Sequence, residues 1–355
     1  MFIIKGYMPN IVLMCLVALS VRSERDIEWY AKINVYGALM YATIVNLFFR
    51  VGQDGRLGDL VYYDANDFAL IMVCSLPFAV YFLRSPDRRK WRSLGMIAIA
   101  MFMIGIVKSG SRGGFLALIA VLIYIVLRYR ALPRRVRMTA TAAGVVLLVG
   151  LGSTKYWTMM SSILHPESDY NWSGESGRRE VWKRGIGYMM HNPVLGVGVR
   201  TFPTAEGRLA EEAAAANAQG RGFKWSVAHN SFIETGAELG VPALCVFIAM
   251  IGIAMRDMNR LSSSRRYHPP WLGSRISTLS QMVLGSFVGF VIAGFFVSAE
   301  YFSYLYFLFG LSLGLLKLVR LRSAAMQTAP PDRRLAMTAY ARLQHASGVS
   351  RGMAG

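Results

Sequence analysis

The feature that most constrains this chain is a series of apolar blocks, each 13 to 22 residues long, separated by short clusters of arginine and lysine. A helix needs about 20 mostly apolar residues to cross the hydrocarbon of a bilayer. Backbone polar groups cannot stay unpaired there, so such blocks must be helices. Candidate spans fall near 8–20, 33–49, 67–83, 93–108, 113–127, 137–153, 238–255, 277–298 and 301–319, about nine in all. The expected fold class is therefore all-α, a polytopic helical membrane protein.

Composition agrees: 54% of the 355 residues are hydrophobic and 17% are charged. Soluble chains hold about 25% charged residues. The formal charge of +19 raises the possibility of nucleic acid. The bases, however, lie between apolar blocks rather than on one face, which speaks against nucleic acid as a partner. Cys15, Cys74 and Cys245 each sit inside an apolar block with no ligand spacing, and read as packing residues.

Every second connection is basic. One set holds Arg84, Arg88, Arg89, Lys90 and Arg92, another Arg128, Arg130, Arg134, Arg135 and Arg137, and a third Arg256, Arg260, Arg265, Arg266 and Arg275. The alternate connection after the second span carries Asp54, Asp59, Asp64 and Asp67 against Arg50 and Arg56. Positive loops stay in the cytoplasm. Four segments follow: 1–153 with amino-terminal spans, a large periplasmic loop 154–237, carboxy-terminal spans in 238–322, and a basic cytoplasmic tail 323–355, expected to be disordered. Within the loop, Arg178–Met190 reads as an amphipathic helix and Ala205–Ala218 as a surface helix.

Three segments on the outer side carry chemistry. Ser109-Gly110-Ser111-Arg112-Gly113-Gly114 places an arginine fork beside exposed amides, an arrangement suited to phosphate. Its plainer reading is a tight hairpin whose arginine reaches the headgroups. Gly177-Arg178-Arg179-Glu180-Val181-Trp182 places Arg178 and Trp182 on one helix face, with the indole suited to the membrane interface. Gly196-Val197-Gly198 lacks the third glycine and the strand of a dinucleotide site. His229-Asn230, ahead of Glu234 and Glu238, offers an imidazole able to take a proton near neutral pH. The competing reading is an interfacial histidine paired locally. His165, His191 and His229 lack metal-ligand spacing.

In this order the segments resemble the O-antigen ligase and polysaccharide polymerase superfamily over about residues 60–320. The resemblance rests on Asp64-Ala65-Asn66-Asp67-Phe68-Ala69, Ser111-Arg112-Gly113-Gly114, Arg178 with Trp182, Asn192-Pro193 with Gly196-Val197-Gly198, and His229-Asn230 before Glu238-Leu239-Gly240. It implies a GT-C-like helical bundle in the bacterial inner membrane. The implied reaction moves a glycan from a polyprenyl (undecaprenyl) diphosphate carrier to an acceptor hydroxyl, with inversion and without cofactor or metal. Lipid A core, a polysaccharide or a protein are the acceptors such a family uses.

By the same resemblance Arg112 and Arg178 bind the diphosphate and His229 is the general base. Arg179 and Arg200 are further candidates for the diphosphate, and Glu234 for fixing the His229 tautomer. Family members resemble bundles of about a dozen spans, so nine fits a chain whose leading spans are missing, and an inactive remnant is one reading. A transporter or flippase is the other alternative. Spans almost free of charge and the lack of an internal repeat count against it.

Overall fold

The computed structural model describes residues 7–58, 60, 63–83, 89–130, 132–168, 172, 174, 177–263 and 274–328. Arg84, Arg88, Arg265, Arg266, Asp59 and the tail beyond Thr328 lie outside these residues. Among the described residues the regular structure is helical: α1 (Met8–Ser20), α2 (Glu24–Phe48), α3 (Ala65–Phe82), α4 (Arg89–Ser109), α5 (Arg112–Arg128), α6 (Arg134–Leu151) and α7 (Thr154–Ser161) come first. A 3₁₀ turn at Pro166–Ser168 precedes α8 (Arg178–His191), α9 (Phe202–Leu209), α10 (Glu211–Ala218), α11 (Ser231–Ser262), α12 (Ser274–Gly294) and α13 (Ser303–Thr328).

All nine apolar blocks are helical. Five of these helices, α3, α4, α11, α12 and α13, are long and apolar enough to cross a membrane. The α6–α7 pair, bent by 108°, makes six if it is taken as one span. Helix α5 has 17 residues and α1 has 13, both short for a straight crossing. The protein is thus a polytopic helical membrane protein.

Helix α3 is the centre of the bundle and packs against α2, α4, α5 and α12. Its buried residues occur on every side, including Phe68, Met72, Cys74, Phe78 and Phe82, the pattern of a helix surrounded by other helices. Helix α1 lies along α13, where a Cβ on Gly310 would fall 2.8 Å from Val17 Cβ. Such an approach is what small residues permit between membrane helices.

Two sequence expectations change. The stretch 205–218 is two helices, because Ala210 is extended (φ −69°, ψ 130°). Glu206, on the first, is drawn into the interior by Arg184 at 2.7 Å and by Tyr188 at 3.0 Å. A single straight helix would not deliver it there. Helix α13 also runs past Arg322 to Thr328, held by Arg322 Nη1 on Glu24 Oε1 at 2.6 Å.

Polar residues fasten the two ends of the bundle differently. At one end Arg275 grips Glu28 with two nitrogens at 2.6 and 2.5 Å, and Lys317 Nζ donates to the Ala18 and Leu19 carbonyls. At the other end Arg56 and Asn66, the Gly110–Ser111 turn, Met159 and Ser162 meet one another, and His229 meets Ser298. That end holds every motif named above.

Candidate functional site

The Asp64-Ala65-Asn66-Asp67 segment is a helix-capping box. Asp64 accepts the Asn66 and Asp67 N–H groups at 2.7 and 2.8 Å, and Asp67 accepts the Asp64 N–H at 3.1 Å. The box fixes Asn66, whose Oδ1 accepts Arg56 Nη2 at 3.1 Å and Ser111 Oγ at 2.9 Å. Ser111 caps α5 by accepting the Gly114 N–H at 3.0 Å. Arg112 follows as the first residue of that helix, where the backbone dipole already favours an anion. Its Nη1 donates to Ser162 Oγ at 2.9 Å, tying the long loop to α5.

Arg178 opens α8 on the same side. Its guanidinium lies 6.0 Å above the Phe296 ring and takes no hydrogen bond or ion pair among the described residues. Phe296 is pressed from below by Gly113, where a Cβ would sit 2.5 Å from Phe296 Cβ. Burial first, then the positive charges of Arg112 and Arg56, against a smaller opposing pull from Asp64, together lower the Arg178 pKa to about 10. Three arginines therefore lie close enough to feel one another's charge. Arg179 turns away: it is exposed and lies 3.7 Å from Glu180. Arg200 is exposed too, with its guanidinium 5.2 Å from the Tyr301 ring centroid.

His229 stands beside this cluster in a left-handed backbone conformation (φ 49°), a geometry that costs about 1–3 kcal/mol and persists only when neighbours impose it. The neighbours are evident. Its N–H donates to Ser298 Oγ at 3.0 Å, and Ser298 Oγ donates in turn to Glu234 Oε2. Glu234 also accepts the Ala228 N–H at 3.2 Å, while Trp182 Nε1 donates to the Ala228 carbonyl at 2.9 Å. Asn230 caps α11 through the Phe232 and Ile233 N–H groups.

The imidazole itself takes no hydrogen bond among the described residues. Burial, then the charge of Arg178, with Lys224 and Arg56 behind it and Asp64 opposing, bring its pKa down to about 4. It is neutral at pH 7. Glu234 thus acts on the backbone that carries the ring, not on the ring tautomer. Trp182 holds the histidine loop and meets Trp172 edge-on at 5.5 Å, a different post from the membrane interface expected for it.

The glycine-containing segments interlock. Gly198 N–H donates to the Glu238 carbonyl at 2.9 Å, Val197 N–H to Ala237, and Val241 N–H to Pro193 at 2.8 Å. Gly240 has φ 83°, and a Cβ there would lie 2.4 Å from the Val194 carbonyl oxygen. At Gly196 a Cβ would lie 2.3 Å from the Glu238 carbonyl carbon. These glycines let two backbones touch. The Glu238 carboxylate accepts the Arg200 and Phe202 N–H groups at 2.7 and 2.9 Å and binds Tyr301 Oη as well.

Gly240 also bends α11 sharply. Phe232 and Phe247 would be about 22 Å apart along a straight helix, yet their rings lie 5.7 Å apart. The Ser231–Leu239 part is therefore folded back over the start of the span that begins at Val241.

Residues 96–248 match the family profile described as O-antigen ligase. Over these residues the chain is similar to the O-antigen ligase family. The matched stretch contains Arg112, Arg178, Trp182, His229 and the interlocked glycines, and reaches just past the bend of α11. The family comprises membrane glycan ligases and polymerases, which use lipid-linked glycans and polysaccharide acceptors in general. No curated protein matches the chain.

The candidate site draws in residues that no motif flagged. Arg56 comes from the acidic connection, and its Nε is buried without a hydrogen bond. Ser298 and Tyr301 come from the 295–302 loop. Glu300, 2% exposed, has both carboxyl oxygens without a partner among the described residues. Burial and the nearby Glu234 and Glu238 hold its pKa well above the usual carboxylate range. Among the described residues no group of three or more His, Cys, Asp or Glu is placed to hold a metal ion.

Proposed function

We propose that the chain transfers a glycan from a polyprenyl diphosphate carrier to an acceptor hydroxyl, with inversion, as O-antigen ligase or polysaccharide polymerase. The motif-bearing end then faces the periplasm of a bacterial inner membrane, the 154–237 loop forms the outer lobe, and the carboxy terminus is cytoplasmic. The observation that carries this reading is the Arg178 guanidinium, beside Arg112 and Arg56 and without a counter-ion among the described residues, next to a neutral imidazole. A cation cluster of this kind is suited to a dianionic leaving group.

In this mechanism a nitrogen of His229 takes the proton of the acceptor hydroxyl. The oxygen forms a bond to the anomeric carbon from the face opposite the diphosphate. The bond to the diphosphate oxygen breaks, its electron pair stays on that oxygen, and Arg56, Arg112 and Arg178 meet the charge. The proton on His229 then passes to solvent. Arg200, exposed beside the Tyr301 ring, is proposed to touch the donor beyond the diphosphate. Glu234 is a positioning residue, and Arg179 has no role in this scheme.

The test is transfer by the purified chain in lipid vesicles, from a polyprenyl-diphosphate oligosaccharide to glycan, lipid A core and peptide acceptors, with EDTA present. Transfer that survives chelation and is lost in His229→Ala, Arg112→Ala and Arg178→Ala supports the assignment. A folded wild-type chain that transfers nothing to any acceptor overturns it. Flux of the carrier across the vesicle without transfer would put a flippase in its place.

A further inference from the structure

Beside the arginines a row of aromatic rings leads away to the surface of the bundle. Phe296 lies beneath Arg178 at 6.0 Å. Its neighbour Phe295 follows directly on α12 and is 44% exposed. The Phe295 ring lies 4.6 Å from that of Phe232, tilted by 36°, and Phe232 in turn lies 5.7 Å from Phe247. Only the fold-back at Gly240 brings Phe232 and Phe247 together (φ 83°, ψ 174°). The row therefore begins under the anion site and ends on the apolar flank of α11, where Val246, Ile248 and Met250 are exposed.

We propose that Phe295, Phe232 and Phe247 form the track that holds the first isoprenoid units of the carrier lipid. The inference rests on the carrier reading above and gives the lipid chain a specific place. The argument is one of continuity. A diphosphate held by Arg178 and Arg112 has its lipid ester oxygen within the same few ångströms, so the first isoprenoid must leave across an adjacent apolar surface. Phe296 is wedged between Gly113 and Arg178, whereas the next residue, Phe295, has an exposed ring able to receive it. Branched, unsaturated chains pack well against aromatic faces, and each buried ring removes a large apolar area from competition with bulk lipid.

The experiment is photolabelling, in phospholipid nanodiscs, with a polyprenyl diphosphate carrying a diazirine in its first isoprenoid units, with glycan transfer measured in parallel. The expected label lies on peptides containing Phe232, Phe247 or Phe295. Excess unlabelled polyprenyl diphosphate should suppress it and added phospholipid should not. Phe295→Ala with Phe247→Ala should cut that label several-fold while circular dichroism stays unchanged. Label placed elsewhere on the wild-type chain, or competed equally by phospholipid, overturns the track whatever the transfer assay gives. Label on the track in a chain that transfers nothing supports the track and tells against the transfer reading alone.

Discussion

The backbone N–H of His229 donates to the Ser298 hydroxyl at 3.0 Å, joining the histidine loop to the connection between the last two helices. Ser298 is itself held by Glu234, so the position of His229, the proposed base, depends on a three-member chain that never touches the imidazole. Removing the hydroxyl in Ser298→Ala should lower kcat about tenfold, the loss of one or two buried hydrogen bonds, with donor KM little changed. Ser298→Thr, which keeps the hydroxyl, should restore most of it. A KM effect with unchanged kcat would place Ser298 in donor binding instead.

The arginines should separate by position. Arg112→Ala, Arg178→Ala and Arg56→Ala each remove a charge that faces the proposed diphosphate, and a charge-assisted hydrogen bond is worth about 1.5–3 kcal/mol. Donor kcat/KM should fall roughly 10- to 100-fold for each. Arg179→Ala, on the exposed side next to Glu180, should stay within about twofold, as surface changes do. Steady-state kinetics of the four variants decides this. An Arg179 effect as large as that of Arg178 would reverse the assignment of the pair.

The pH profile follows from the charges around His229. Its pKa is brought down to about 4 by burial and then by Arg178, so the free protein holds a neutral imidazole at all pH above about 5. The acid limb of kcat/KM should therefore lie near 4. A bound diphosphate supplies negative charge, which favours the imidazolium and raises the pKa, so the acid limb of kcat should lie higher. Arg178→Gln removes a positive neighbour, and its kcat/KM limb should move up. A limb that moves down, or does not move, would mean that Arg178 exerts no field on His229.

Much of this arrangement was legible in the sequence because it depends on local pattern. Apolar blocks became helices, and the segments that carry Arg112, Arg178 and His229 come together at one end of the bundle. What escaped depends on contacts between distant segments. Arg56 sits in a connection whose acidic residues drew notice, and only the Asp64–Asn66 cap directs it toward Ser111. Ser298 has no motif at all. Glu234 was expected to act on the imidazole, since a helical offset places it one turn along. The left-handed turn at His229 gives it the backbone instead. Periodicity likewise treats α11 as continuous and does not reveal its fold-back at Gly240.

That bend yields a prediction about stability rather than rate. At Gly240 the backbone has φ 83°, and a methyl group would fall 2.4 Å from the Val194 carbonyl oxygen, a backbone atom that cannot swing aside. Gly240→Ala should destabilise the chain by about 3 kcal/mol or more, through strain and through loss of the Val241–Pro193 hydrogen bond. Gly252, on the same helix, has no atom within 4 Å of the place a methyl group would take. Gly252→Ala should be neutral or stabilising by up to about 1 kcal/mol, because alanine is the better helix former. Thermal unfolding in detergent compares the two directly. If both variants melt alike, the Gly240 segment is not a fixed corner. The outer lobe would then reach the histidine loop through a movable joint.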